Sequence, residues 1–337
     1  MADKINSVCQ VQTRRPDFCA FIVTNQCVMR CKMCYIWKNA KEQNEITIDE
    51  WKFFVSKLKG LLDPNVEINF CGGEALLKDG FLDLIKFCTD LNFATSMTTC
   101  GFLIDENKSK RINEARLKVL NISMDSLDET KHDFLRGVDG AHKKALQAID
   151  YLDKYRHQRL EIGVQTVISD ANLDDILPLV EWANKDSRLN VIYFQPIVQP
   201  YNTGFDCNWN KNGQHSFLWP SNLGKVKAIV EELIRLKEKH GYKISNSLIH
   251  LKAIKRYFEQ PGTFIKKYGC DKGNHLLNVN NEGNIHLCYN YEPLGNIRDR
   301  SIDIKELWFS EKANGLRNMM YNCRKNCADV VTCLFEE

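Results

Sequence analysis

"TNQCVMRCKMCYIW", residues 24–37, places three cysteines within eight positions: Cys27, Cys31 and Cys34. A structural zinc site takes four protein ligands, often as two paired Cys-x2-Cys knuckles. No second knuckle lies nearby in the sequence. Three thiolates leave one coordination position open, as catalytic metal sites do. The loop directly follows the apolar run "AFIVT" (20–24), so a strand delivers it. What comes after that strand decides the fold.

Further short β-branched or aromatic runs follow: "VEINF" (66–70), "FATSMTT" (93–99), "VLNISMD" (119–125), "EIGVQTVI" (161–168) and "NVIYFQPI" (190–197). Helical patterns separate them, at 47–62, 81–91, 106–116, 141–155 and 173–185. Thr47 and Glu50 form a capping-box signature for the first helix. Pro178 falls in the first turn of the last helix or kinks it. Six strand–helix units in series imply a parallel sheet with right-handed crossovers. The fold expected is α/β, a partial (β/α)6 TIM-like barrel, with its chemistry at the C-terminal ends of the strands.

Past residue 200 the texture changes. Residues 199–220 are polar, irregular and aromatic, as in a loop that covers a site, and 223–241 reads as a helix stopped by Gly241. Cysteines return from Cys270 onward, and Asn280–Gly283 reads as a hairpin turn. The organisation expected is an N-terminal extension (1–17), the barrel (18–240) and a small cysteine-rich domain (241–337).

Bulk properties narrow the function classes. The 337 residues carry a net charge of +3 with 26% charged residues, which calls for neither nucleic acid nor an anionic membrane as partner. No apolar run reaches the roughly 18 residues of a spanning helix, and the N-terminus has no secretory h-region. Fourteen cysteines without a signal point to thiolate ligands in a reducing, cytoplasmic compartment.

The CxxxCxxC spacing after the first barrel strand resembles the radical S-adenosylmethionine (radical SAM) family, which commonly has an aromatic residue where this chain has Met33. A soft apolar side chain suits that place as well. The resemblance covers residues 18–200 and implies a [4Fe–4S] cluster on Cys27, Cys31 and Cys34. Its open iron binds SAM, and reductive cleavage yields a 5′-deoxyadenosyl radical that abstracts hydrogen from substrate. "FCGGEALL" (70–77) resembles the family's GGE motif, in which Gly72, Gly73 and Glu74 meet the methionyl ammonium. In "ISMDSLDETKHDFLRG" (122–137) the resemblance assigns Ser123 and Asp125 to the ribose or methionyl carboxylate and Arg136 to a clamp on that carboxylate; a surface arginine on a helix is the competing reading. His132 lies beside this clamp, and Asn172 is family texture without an assigned contact.

Cys270, Cys288, Cys323, Cys327 and Cys333, with Gly283 and "LGNI", resemble a SPASM or twitch domain. Five cysteines suit one auxiliary [4Fe–4S] cluster with four ligands. Cys270 and Cys288 are the first pair, Cys323 and Cys327 the nearest second pair, and Cys333 a substitute for either. A four-cysteine zinc site is the alternative. Cys9, Cys19, Cys71, Cys88, Cys100 and Cys207 read as small buried hydrophobes, although Cys71 and Cys100 lie at strand ends where a pocket is lined.

The function expected is radical abstraction from a sugar or other small polar metabolite, by dehydrogenation, epimerisation or decarboxylation, with a flavodoxin or ferredoxin as reducing partner. A maturase of ribosomally made peptides is the alternative, disfavoured because only about 18 residues precede the first strand where leader-binding domains need roughly 80. Molybdopterin-precursor synthesis is disfavoured by the "LFEE" ending. A non-catalytic iron–sulfur protein has no use for the GGE, Ser123, Asp125 and Arg136 set. Tyr193, Gln195, Asp271 and Tyr289 are the substrate contacts open to this reading.

Overall fold

A computed structural model describes residues 13–39, 44–204, 206 and 208–331. Cys9, Cys207 and Cys333 lie outside the described residues. Six parallel strands run β1 (Phe18–Thr24), β2 (Glu67–Gly72), β3 (Ala94–Thr99), β4 (Val119–Ser123), β5 (Glu161–Ile168) and β6 (Val191–Pro196). Between them lie α1 (Ile48–Leu58), α2 (Phe81–Asp90), α3 (Glu106–Glu114), α4 (Glu129–Arg136), α5 (Ala141–Tyr155) and α6 (Ile176–Lys185). The expected six-unit α/β partial barrel is present. The Thr47–Glu50 capping box forms: the Glu50 N–H donates to Thr47 Oγ1 at 3.2 Å, and the Thr47 N–H to Glu50 Oε2 at 2.8 Å.

Alternation along the strands sorts two faces. Phe21, Ile68, Phe70, Met97, Leu120, Ile122 and Phe194 are buried on the outer face. There Phe21 stacks on Trp51 of α1 at 5.1 Å and meets Phe70 edge-on at 6.0 Å. The register carries the other face across the sheet in rows. Asn278, Ala20, Asn69 and Ser96 share one row, Thr98, Asn121 and Gly163 the next, and Ser123, Gln165 and Tyr193 the one above. Hydrogen bonds run along and between them: Asn69 Nδ2 donates to Ser96 Oγ at 2.8 Å within a row, and Thr98 Oγ1 to Gln165 Oε1 at 3.1 Å across two. The barrel interior is therefore polar.

Downstream come α7 (Leu223–His240), α8 (Leu248–Glu259), β7 (Leu276–Val279), β8 (Asn284–His286), β9 (Gly295–Asn296), α9 (Ile304–Trp308), α10 (Glu311–Asn322) and α11 (Ala328–Val331). The expected hairpin is β7–β8, with Gly283 at φ +85°. The sheet does not end at β1. Its order is β6-β5-β4-β3-β2-β1-β7-β8-β9, and β7 pairs with β1 in parallel, Phe18 to Leu276 through Phe21 to Val279.

Two differences from the sequence pattern have local causes. The helix expected from 173 starts at Ile176, because 170–175 form a 3-10 turn in which Asn172 sits at φ −127°. The Asn172 side chain is spent on the Asp125 and Val167 carbonyls, at 2.8 and 2.9 Å. Helices α4 and α8 fall where the periodicity placed none; α8 buries His250 and Tyr257 along with its aliphatic residues, which blurs the pattern. Removing the aromatic that anchors β1, Phe21→Ala, is expected to cost about 3–5 kcal/mol of stability in urea unfolding. Met319→Ala, at the exposed face of α10, is expected to stay within ~0.5 kcal/mol of the parent.

Candidate active site

The cysteine loop has little secondary structure, so neighbouring backbone holds it. On one side the Arg30 and Lys32 N–H groups donate to the Arg136 and Leu135 carbonyls at the end of α4, both at 2.9 Å. Those carbonyls have no intrahelical partner. Gly137 follows at φ +69°, and a Cβ there would lie 2.2 Å from the Arg30 oxygen. On the other side the Tyr35 N–H donates to the Tyr201 carbonyl at 3.0 Å, and Asn202 Nδ2 to the Tyr35 carbonyl at 3.0 Å. Residues of the 199–220 stretch thus brace the loop.

From below comes the stretch after β2. The Gly73 and Glu74 N–H groups donate to the Thr24 and Gln26 carbonyls at 2.8 and 2.7 Å. A Cβ on Gly72 would meet Thr24 O at 2.4 Å, and one on Gly73 would meet Gln26 O at 2.0 Å. Both glycines thus let this backbone lie against the residues leading into Cys27. Glu74 is buried, and its carboxylate accepts from the Thr99 hydroxyl (2.9 Å), the Cys100 N–H (3.0 Å), the Cys100 thiol (2.9 Å) and the Leu76 N–H (3.3 Å). It ties β2 to the end of β3.

Asp125 and Arg136 meet beneath the cysteines. Arg136 Nη2 lies 2.8 Å from Asp125 Oδ2, and both residues are buried. The surface-arginine reading of Arg136 does not hold. Its Nη1 reaches to 4.0 Å of Cys31 Sγ, and its Nε is buried without a hydrogen-bond partner among the described residues. The Asp125 Oδ1 accepts from the Val167 N–H at 3.1 Å. The Asp125 N–H donates to His132 Nδ1 at 3.2 Å. Burial, then the Arg136 and His142 charges, pull the His132 imidazole down to about 2, so it stays neutral and able to accept that bond. Ser123 is buried one row below.

Burial pushes the Cys27 thiol up to about 12 and the Cys34 thiol up to about 11; the Cys31 thiol is also raised by burial, with Arg136 opposing. Protons hold neutral what a cationic iron would hold as thiolates, and metal binding displaces them. Three thiols on one loop, Cys31 buried and Cys27 and Cys34 half-buried, suit a cluster. The unpartnered Arg136 Nε suits a carboxylate. Among the described residues no three Cys, His, Asp or Glu side chains converge on a single bare ion.

At the C-terminal end Tyr291 gathers three of the expected ligands. Burial and the nearby Cys323, Cys288 and Cys270 thiols push its phenol up. Cys270 is buried and its thiol is raised by burial, whereas Cys288, Cys323 and Cys327 are half-buried. Cys327 lies by Tyr257. Cys71 faces the barrel interior, sharing a row with Ile22, and Cys100 is buried against Glu74. Sequence reasoning missed Glu45. Its Oε1 accepts from the Thr24 hydroxyl at 2.8 Å and the Asn25 N–H at 2.9 Å, and its Oε2 meets Lys78 Nζ at 3.1 Å. No motif marks it. Gly137, by contrast, was findable as a glycine closing a helix.

Comparison with known proteins bears on this geometry. Residues 21–183 match the family model described as radical SAM superfamily, and 270–333 match SPASM, an iron–sulfur cluster-binding domain. The chain carries a radical SAM domain followed by a C-terminal SPASM domain. It is therefore an enzyme of the class that uses a [4Fe–4S] cluster and SAM, with auxiliary iron–sulfur binding in the SPASM region. Among curated relatives, the Fe-coproporphyrin III synthase of Methanosarcina barkeri is 23% identical over 88% of this chain and 75% of its own length. The AdoMet-dependent heme synthase of the same organism is 24% identical over 88% and 83%. Streptococcus suis SuiB, solved bound to the precursor peptide SuiA, superposes with a TM-score of 0.68 at 14% identity, over 93% of this chain and 72% of its own. That likeness establishes the shared fold. No helix among the described residues is long and apolar enough to cross a membrane.

The Asp125–Arg136 pair gives a direct test. Asp125→Ala leaves a buried guanidinium unpaired, and chemical unfolding is expected to show a loss of about 3–5 kcal/mol. Gly137→Ala forces a strained φ and pushes the cysteine loop away, at about 1–3 kcal/mol, with lower iron uptake at reconstitution.

Proposed function

We propose that Cys27, Cys31 and Cys34 hold the SAM-binding cluster and that the enzyme abstracts hydrogen from a small polar substrate, such as a sugar, seated in the barrel. When bound, the cluster supplies one electron to SAM and thereby generates the abstracting radical. The chain's residues do the rest. The Arg136 guanidinium, anchored by Asp125, offers its spare Nε to the methionyl carboxylate. Glu74 contributes fixed negative charge opposite the ammonium, since its acceptor positions are already filled. Gly72 and Gly73 keep that charge close to Cys27, and Ser123 presents a hydroxyl at the same rim for the ribose or the carboxylate.

The observation that carries the substrate class is the polar interior face: Asn69, Ser96, Thr98, Asn121, Gln165, Tyr193 and Gln195, none of them cationic. Uncharged donors and acceptors match hydroxyl and amide groups, which can join the hydrogen bonds these side chains already make to one another. A second reading, a porphyrin-type substrate, rests on the names of the two relatives that align over 88% of the chain. A peptide substrate, as SuiB was solved with, is the third. In the auxiliary region we assign Cys270, Cys288 and Cys323, gathered by Tyr291, with Cys327 or Cys333 as fourth ligand. The SPASM match begins on Cys270 and ends on Cys333, which supports counting Cys333 among them. The barrel and auxiliary domains are taken to divide near residue 240, at the end of α7.

Anaerobic reconstitution tests this. About eight irons per chain, falling to about four in the Cys27/Cys31/Cys34→Ala variant, is the expected count for two four-iron clusters. Deoxyadenosine formation under dithionite is expected for the parent only. Stimulation of that yield by aminoglycosides or sugar nucleotides, beyond that given by Fe-coproporphyrin III or peptides, supports the polar substrate; the reverse order refutes it. Four irons plus one zinc overturns the auxiliary cluster.

A further inference from the structure

Residues 44–46, "NEI", precede the Thr47 cap of α1 and carry no motif. Their backbone is held by the C-terminal region. The Ile46 N–H donates to the Asn281 carbonyl in the β7–β8 turn at 2.8 Å. Arg298 Nη2 donates to the Asn44 and Glu45 carbonyls, both at 3.1 Å, and its Nε to Glu50 Oε1 at 3.0 Å. The Ile46 side chain is buried, and a Cβ on Gly283 would lie 2.6 Å from its Cδ1. Asn281, Gly283 and Arg298 all fall inside the SPASM match, 270–333.

The Glu45 side chain turns to the cysteine loop instead, and only 6% of it is exposed. Its Oε1 accepts from the Thr24 hydroxyl at 2.8 Å and the Asn25 N–H at 2.9 Å. The Thr24 hydroxyl in turn accepts from the Gln26 N–H at 3.0 Å. One carboxylate thus satisfies, directly or through Thr24, the N–H groups of the two residues before Cys27. The carbonyls of Thr24 and Gln26 are left to accept from the Gly73 and Glu74 N–H groups, at 2.8 and 2.7 Å. Glu45 Oε2 meets Lys78 Nζ, four residues past Glu74, at 3.1 Å. The carboxylate therefore joins the approach to Cys27 to the far end of the glycine turn.

We propose that Glu45 is a positioning residue for SAM, and that residues 44–46 couple the SAM site to the SPASM region. The inference rests on the reading of Cys27, Cys31 and Cys34 as holders of the SAM-binding cluster. A side chain on an unheld segment would lose conformational freedom on clasping residues 24–26. With its backbone fixed by Asn281 and Arg298, the carboxylate is delivered already placed. A shift of the β7–β8 hairpin moves Glu45, and with it the approach to Cys27 and the turn that carries Glu74. The coupling is reciprocal, so SAM bound at the loop also tightens the contact of residues 44–46 with the hairpin. No bond forms or breaks along this route, and no electron passes through it.

The test uses the full reconstituted chain. SAM binding is followed by the change it causes in the EPR signal of the dithionite-reduced protein. Amide hydrogen exchange of residues 24–31 is a second readout, which needs no SAM. Glu45→Ala is expected to bind SAM at least about tenfold more weakly at the parent's iron content, as loss of an outer partner does at metal sites, and to exchange faster over 24–31. Glu45→Gln keeps an acceptor for the Thr24 and Asn25 donors and should recover most of the affinity. Arg298→Ala tests the coupling. Among the described residues its guanidinium bonds to Asn44, Glu45 and Glu50, and its side chain is 42% exposed, so the variant keeps the fold. It is expected to weaken SAM about fivefold and to add nothing in the Glu45→Ala background. SAM affinity unchanged in Glu45→Ala, or lost equally in Glu45→Gln, overturns the positioning role. Full additivity of the Arg298→Ala and Glu45→Ala effects overturns the coupling. An iron-loaded parent whose signal does not respond to SAM refutes the enzymatic reading instead, and exchange over 24–31 then still decides what Glu45 holds in place.

Discussion

The cysteine loop depends on backbone partners that it does not contain. A buried segment without strand or helix must still satisfy its N–H and C=O groups. Helix α4 has the complementary problem, because its last carbonyls have no partner of their own. Docking the Arg30 and Lys32 N–H groups onto Leu135 and Arg136 answers both. The left-handed turn at Gly137 gives the loop the room to approach. The arginine beneath Cys31 and the glycine beside Arg30 are consecutive residues, so one short stretch fixes the loop's position and sets the charge beneath it.

That charge is the second constraint. A buried guanidinium is tolerated only with a carboxylate and further hydrogen bonds around it. Asp125 supplies the carboxylate, and its other atoms are fixed by the Val167 N–H, the His132 ring and the Asn172 amide. The end of β4, helix α4, strand β5 and the turn before α6 therefore all contribute to aiming one side chain. The neutrality of His132 belongs to this arrangement: a charged imidazole cannot accept from the Asp125 N–H, and it would repel Arg136.

The strands were legible because one face must be apolar and the other not. Hence β5 is found over the same residues, 161–168, that the alternation marks. Cysteine spacing made the loop legible, and Gly283 made the hairpin legible. Less was readable where partners are distant in sequence. Asp125 and Arg136 were singled out as two ligands of one small molecule, and their bond to each other has no sequence signature. The glycines before Glu74 were assigned to the methionyl ammonium, and their close packing on the Thr24 and Gln26 carbonyls likewise has no sequence signature. Helix α8 was obscured because the residues it buries include a histidine and a tyrosine, which a periodicity count scores as polar.

The pairing of β1 with β7 changes how the two iron–sulfur regions relate. Strand β1 ends at the loop of Cys27 and is hydrogen-bonded on its other edge to the strand that begins six residues after Cys270. Glu45 reinforces the seam. It holds Thr24 and Asn25 at the end of β1, pairs with Lys78 after the glycine turn, and lies 3.4 Å from Asn281 Nδ2 in the β7–β8 turn. The Ile46 N–H adds a bond to the Asn281 carbonyl at 2.8 Å. A flexible tether would let the C-terminal region swing relative to the barrel. A shared ladder of backbone bonds gives it a fixed register instead, and one-electron chemistry depends on such fixed separations between its centres.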